Sequence, residues 1–275
     1  MRVPSSDDVE LELHDLGGDG PPLLIAHATG FCAGAYRPLA ACLTGRFHVW
    51  AVDFRAHGDA TRPASGSLDW GGMVQDVVAV VDALGGGPVA GIGHSMGGAA
   101  LVGAEIARPG TLTRAYLFEP IIVPEGWGGT SGPNPMSEAA ARRRRRFASH
   151  AEALARYAHR PPLGVCRADA LAAYVDAGFR ELPDGTVELK CSPEDEAAVF
   201  AATGKITIAD VGDVGVPIVV ARGGRDGEFG PAAFAGAVAG ALPRGELRRY
   251  EHVGHFGPLS DPDTIGEDAL AFLAG

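Results

Sequence analysis

Gly91-Ile92-Gly93-His94-Ser95-Met96-Gly97-Gly98 decides how this chain is read. A short apolar run over residues 88–92 feeds into it, and a run of small residues with helical character, 96–108, leaves it. Strand, sharp turn and helix give the G-x-S-x-G pattern the setting of a nucleophile elbow, with the central serine lifted clear of a sheet. Such a turn strains the serine backbone, and Gly93 and Gly97 stand where a side chain would collide with the adjoining strand and helix. The first helical N–H groups, at the positive end of the helix dipole, then face whatever approaches Ser95 and suit a developing oxyanion. A phosphate-binding loop is the competing reading, and the lack of a following G-K-[ST] counts against it.

A serine hydroxyl needs a histidine to take its proton and an acid to hold that histidine in the right tautomer. The C-terminal run His252-Val253-Gly254-His255-Phe256-Gly257-Pro258 follows a strand-like stretch, 246–250, and precedes a helix signalled by Ser260-Asp261-Pro262. His255, flanked by small residues in a loop past a strand end, is the expected base, and His252 is its competitor. Two carboxylates compete as the acid. Asp226 follows Pro217-Ile218-Val219-Val220-Ala221, a buried parallel strand by pattern, and so sits on a loop at a strand's carboxyl edge. Glu119 ends another strand, 114–118, and overlooks the same edge. Asp226 is the first choice and Glu119 the second.

These motifs together resemble the α/β-hydrolase superfamily, specifically its small serine hydrolases with a lid, over nearly the whole chain. Leu23-Leu24-Ile25-Ala26-His27-Ala28-Thr29-Gly30-Phe31 is similar to the family's strand and His-Gly oxyanion loop, with Ala28 in place of the usual glycine. Val52-Asp53-Phe54-Arg55-Ala56-His57-Gly58-Asp59 resembles its D-x-R-G-H-G-x-S segment, with Ala56 and Asp59 departing from it. The resemblance implies that Ser95 is nucleophile, Asp226 acid and His255 base, with the backbone N–H groups of Met96 and Thr29 as the oxyanion hole. It also implies local hydrogen-bonding roles for His27, His57 and His94, and no metal or cofactor.

Composition and order agree with one α/β domain. The chain has 275 residues, 46% of them hydrophobic, enough for a large core with an added lid. A net charge of −11 argues against nucleic acid or an anionic membrane as partner. Cys32, Cys42, Cys166 and Cys191 have no metal-like or disulfide-framework spacing, and the first sixteen residues lack an apolar signal core, so a cytoplasmic protein is expected. Strands at 9–13, 23–26 and 48–52 and helices at 36–43 and 70–84 precede the elbow. After residue 217 the rhythm resumes as strand, helix (231–241), strand and helix (264–273), which predicts a doubly wound, mostly parallel sheet. In the second helix Met73, Val77, Val81 and Leu84 form one apolar stripe facing the sheet.

Residues 121–208 break this alternation and read as a helical lid inserted into a core of 1–120 and 209–275. A Gly/Pro/Ser-rich loop at 126–135 leads to expected helices at 137–158 and 168–179 and to another opened by Ser192. Arg142–Arg146 would spread over the whole circumference of the first of these, so a solvated face pairing with acidic neighbours is expected, with recognition of an anionic substrate or a phosphopantetheine-bearing carrier as the alternative. Phe31, His94, Trp127, Phe147 and Tyr157 are candidate substrate contacts. The expected activity is hydrolysis of a carboxylic ester or thioester through an acyl-enzyme, on a small molecule or a carrier-bound acyl group. Acyl transfer and carbon–carbon bond hydrolysis use the same constellation, and a non-catalytic binding protein is the alternative of another class.

Overall fold

The computed structural model describes residues 1–127, 132–225, 227 and 230–275. From the N-terminus, β1 (Arg2–Pro4) and β2 (Glu10–Asp15) pair antiparallel at one sheet edge. Then come β3 (Pro22–Ala26), a short 3-10 turn (Ala33–Tyr36), α1 (Arg37–Ala41), β4 (His48–Asp53) and α2 (Trp70–Ala83). β5 (Val89–His94), α3 (Met96–Ala107) and β6 (Leu112–Phe118) complete the first half. The insertion carries α4 (Pro135–Ala141), β7 (Arg146–Phe147), α5 (His150–Ala158), α6 (Ala168–Gly178), β8 (Phe179–Glu181), β9 (Val187–Leu189) and α7 (Pro193–Ala201). β10 (Ile218–Gly223), α8 (Pro231–Ala241), β11 (Gly245–Tyr250), α9 (Gly257–Ser260) and α10 (Pro262–Ala274) close the chain.

The strand order β1-β2-β4-β3-β5-β6-β10-β11 is parallel from β4 to β11, and only the β1–β2 and β2–β4 pairs run antiparallel. The expected doubly wound sheet is present, extended at its edge by β1, which three residues were too few to announce. Both faces of the sheet are covered. Leu24, Ala26, Ile218 and Val220 join the core on one side, while the alternating Leu23, Ile25, Val219 and Ala221 join the core on the other. Met73, Val77 and Val81 of α2 are buried in the first of these, as the stripe predicts. Because every parallel crossover returns the chain to the same end, the loops after β3, β5, β6, β10 and β11 gather at one carboxyl edge. Among the described residues no helix is long and apolar enough to cross a membrane.

The insertion corrects the expected helix over 137–158. α4 stops at Ala141, and Arg146–Phe147 instead pairs antiparallel with β9, which also pairs with β8. Five adjacent guanidiniums repel one another at helical i,i+3 and i,i+4 spacings, and Ser149, in extended backbone, restarts the helix by accepting from the Glu152 N–H. The five arginines therefore lie on a turn and a short strand, not around a helix. The start of α7 matches expectation, with Ser192 capping it, Pro193 in its first turn and three acidic residues following.

Candidate active site

Ser95 sits between β5 and α3 with φ +56° and ψ −117°, a left-handed conformation that a non-glycine residue adopts only under constraint. The elbow glycines make the turn possible. A Cβ on Gly97 would fall 2.1 Å from the Ala26 carbonyl oxygen, and one on Gly93 2.4 Å from the Gly98 Cα. The Ser95 N–H is tied to the Phe118 carbonyl at 3.0 Å, and its own carbonyl accepts from Gly98 and Ile121. The side chain does not cap α3. It lines a cavity of about 800 Å³ that Thr29, Glu119 and His255 also line.

His255 lies on the loop between β11 and α9, and its Nδ1 meets Glu119 Oε2 at 2.7 Å. Glu119 follows β6 directly, is almost wholly buried, and accepts the Gly223 N–H on its other oxygen at 2.9 Å. A backbone φ of +44° turns this carboxylate away from the line of the strand. The Glu119 N–H in turn donates to Ala221 in the neighbouring β10, so two strand ends fix one acid. Asp226 lies outside the described residues. His252 is the more exposed imidazole and bonds Asp261 at 2.6 Å, at the head of α10.

A chain of buried hydrogen bonds joins the elbow, the base loop and the loop after β3. His94 Nε2 lies 2.8 Å from the His255 carbonyl, which can only accept, so Nε2 carries the proton. Nδ1 then accepts from the Tyr36 hydroxyl at 2.7 Å, and that hydroxyl accepts the Ala28 N–H at 3.1 Å. Burial, reinforced by the neighbouring His255 charge, pushes His94 well below the ordinary histidine range and keeps this neutral tautomer. His57 does similar work two residues on: Nδ1 donates to the Arg55 carbonyl and Nε2 accepts the Gly30 N–H at 3.1 Å. Asp53 accepts the Ala33 and Asp59 N–H groups and meets His14 Nε2 at 2.8 Å, which gives the acid of the Asp53–Asp59 segment a local hydrogen-bonding role. Ala28, Gly30 and Phe31 all donate within the protein, whereas the Thr29 N–H has no acceptor among the described residues. Met96 supplies a second such donor at the first position of α3, where a helix leaves its N–H groups unpaired. The Cys32 thiol is buried and pushed up to about 12, by desolvation first and the Asp53 charge second, so it holds no thiolate.

The sequence model of the Alpha/beta hydrolase family matches residues 23–267. The chain belongs to the alpha/beta hydrolase family. Across its full length it is 24% identical to "Putative carbamate hydrolase RutD" of Caulobacter vibrioides, with 98% of that protein covered. Among solved structures it is similar to an E-2-(acetamidomethylene)succinate hydrolase (TM-score 0.77, 20% identity, 100% of this chain and 98% of that one). It is also similar to the esterase RhEst1 from Rhodococcus sp. ECU1013 (TM-score 0.76, 19% identity, 100% and 98% covered).

In this alpha/beta hydrolase the insertion supplies much of the cavity wall. Phe31 and Tyr157 line it. His94 lies behind the base loop, as described above. Phe147 is buried inside the insertion against Tyr157 and Phe179, beneath the Arg144 guanidinium. Trp127 is 58% exposed and meets Phe234 edge-on. Of the arginine run, Arg143 turns inward: its side chain is 20% exposed, pairs with Glu196, and donates to the Tyr174 hydroxyl at 2.7 Å. Tyr174 donates onward to the Gly30 carbonyl at 3.3 Å, and its ring lies 5.0 Å from that of Phe31. Sequence reasoning missed Tyr36, Tyr174 and Glu196, because polar groups that meet only in the folded chain leave no local pattern. Arg143 gave a signal in the arginine run, read with the wrong periodicity.

Proposed function

We propose that this protein is a serine hydrolase that cleaves a carboxylic ester or thioester through an acyl-enzyme, with Ser95 as nucleophile, His255 as base and Glu119 as the acid. The contact between Glu119 and His255 Nδ1, in the cavity that Ser95 also lines, is the observation that carries this reading. Glu119 would hold the imidazole with its proton on Nδ1, leaving Nε2 to take the Ser95 proton as Oγ attacks the acyl carbon. The Met96 and Thr29 N–H groups would stabilise the tetrahedral oxyanion. His255 then returns the proton to the leaving oxygen or sulfur, and water, deprotonated by the same imidazole, releases the acid and restores Ser95. The insertion, 121–208, acts as a lid on the 1–120 and 209–275 core, excluding water and shaping the pocket. Phe31 and Tyr157 are the proposed acyl contacts. Four free cysteines support a cytoplasmic setting.

The full-length relative named for carbamate hydrolysis favours a second reading, in which the same serine attacks a carbonyl carrying nitrogen. A fluorophosphonate probe tests what the two share: it should label the wild-type chain and leave Ser95→Ala unlabelled. Labelling that survives Ser95→Ala removes the mechanism. Comparing p-nitrophenyl acetate, acyl thioesters and a p-nitrophenyl carbamate then separates ester, thioester and carbamate specificity.

A further inference from the structure

The cavity beside Ser95 reverses the charge of the molecule. The chain carries 34 acidic against 23 basic Lys and Arg side chains, yet six cations line the cavity against two carboxylates, Glu119 and Glu196. Both carboxylates are engaged, Glu119 with His255 and Glu196 with Arg143. Several of the cations are also matched. Arg143 pairs with Glu196, Arg144 forms a two-pronged contact with Glu152, and Lys205 turns its ammonium to the Phe200 and Ala202 carbonyls at the end of α7. Arg142 reaches Glu138 only at 3.9 Å and is mostly exposed. Arg156 and Arg160, one in the last turn of α5 and one just beyond it, have no carboxylate within ion-pair distance among the described residues.

Two guanidiniums without an ion-pair partner among the described residues thus stand on the wall of a largely apolar cavity, Arg156 one turn from the Glu152 charge and Arg160 exposed at the rim. They raise the local concentration of anions and offer planar forks for a carboxylate. Phe31, Tyr157 and Leu163 contribute apolar surface to the same wall. We infer that the substrate is an acyl compound carrying a carboxylate on its acyl part, held by Arg156 and Arg160 while the scissile carbonyl lies at Ser95. This rests on the acyl-hydrolase reading for the carbonyl end and on the cavity charge for the other. A bound carboxylate offsets part of the positive charge that the protein leaves open in the cavity, and a neutral acyl chain does not.

The test compares p-nitrophenyl hemiglutarate with its methyl-capped, uncharged counterpart. Wild-type kcat/KM should favour the free carboxylate by about tenfold or more, and added salt should shrink the ratio. Arg156→Gln with Arg160→Gln should bring the ratio close to one, while Arg249→Gln, on β11 and paired with Glu251, should keep it. Calorimetry of Ser95→Ala with glutarate and with dimethyl glutarate gives a readout free of turnover. Binding of glutarate alone, lost in the double arginine variant, supports the inference even if neither ester is cleaved, in which case only the hydrolase reading fails. Equal turnover of both esters with no glutarate binding overturns the inference and leaves the hydrolase reading standing. A preference for acetyl-coenzyme A over p-nitrophenyl hemiglutarate, insensitive to Arg156 and Arg160, would put the anion on the leaving group and overturn it too.

Discussion

Replacing Glu119 by glutamine separates the charge of the proposed acid from its shape. The carboxylate is 3% exposed and holds two donors, the Gly223 N–H at 2.9 Å and the His255 ring at 2.7 Å. Glutamine fits the same space but has one acceptor oxygen for two donors. If that oxygen stays with Gly223, the amide NH₂ faces Nδ1 and the imidazole must move its proton to Nε2, the atom that has to accept from Ser95. Wrong-tautomer substitutions in serine triads cost up to about 10⁴-fold in kcat. A range of about 10²–10⁴-fold is expected here, because the amide can also flip and leave Gly223 unsatisfied instead. KM should change little, since the carboxylate is engaged by His255 and Gly223 rather than by substrate. Steady-state kinetics on p-nitrophenyl acetate, with circular dichroism to confirm the fold, measures this. Asp226→Asn is the companion variant and should retain more activity than Glu119→Gln. Turnover of Glu119→Gln within threefold of wild type, or a larger loss in Asp226→Asn, would refute the assignment of the acid.

Tyr36→Phe removes both the acceptor of the Ala28 N–H and the donor to His94 Nδ1 in a fully buried setting. Two orphaned buried groups should cost about 2–4 kcal/mol in urea unfolding, and kcat should fall as the Thr29 loop loosens; a loss under about 0.5 kcal/mol would show that these bonds do not hold the loop. Acid should destabilise the protein before its carboxylates titrate. Burial, then the neighbouring His57, pushes His27 down to about 3, so the folded state stays neutral there while the unfolded chain gains a proton near the ordinary histidine value. Stability is therefore full above about pH 6.5 and lost as pH falls below it, with His27 alone contributing about 2 kcal/mol between pH 7 and pH 5. Urea midpoints at the two pH values measure this, with His27→Gln expected to show a shallower loss. Equal midpoints in the wild type would contradict it.

The parts legible in the sequence are those whose physics is local. The elbow could be read because a left-handed serine needs glycine on both sides, and that need is written within five residues, Gly93 to Gly97. The parallel strands could be read because a strand covered on both faces is a continuous apolar run, as in residues 218–221 of β10. The acid is different in kind. Glu119 and Asp226 both follow strands that end at the same edge, and sequence ranks them only by loop pattern. What brings Glu119 to His255 is a positive φ after β6 and a bond to the backbone of β10, neither of which leaves a trace in residue spacing.

The same distinction explains the arginine run. Helical periodicity assigned Arg142–Arg146 to a solvated circumference, yet like-charge repulsion and the Ser149 cap ended the helix and left Arg143 facing Glu196 and Tyr174. Through Tyr174 that arginine reaches the Gly30 carbonyl, next to the Thr29 N–H proposed for the oxyanion hole. On the opposite side the loop is held by Tyr36, and through it by His94 and the His255 carbonyl. The oxyanion loop is thus fixed between the insertion and the base loop. On the proposed mechanism a displacement of either would be transmitted to the Thr29 donor by hydrogen bonds of 2.7–3.3 Å, and the position of the insertion would bear on catalytic geometry as well as on pocket shape.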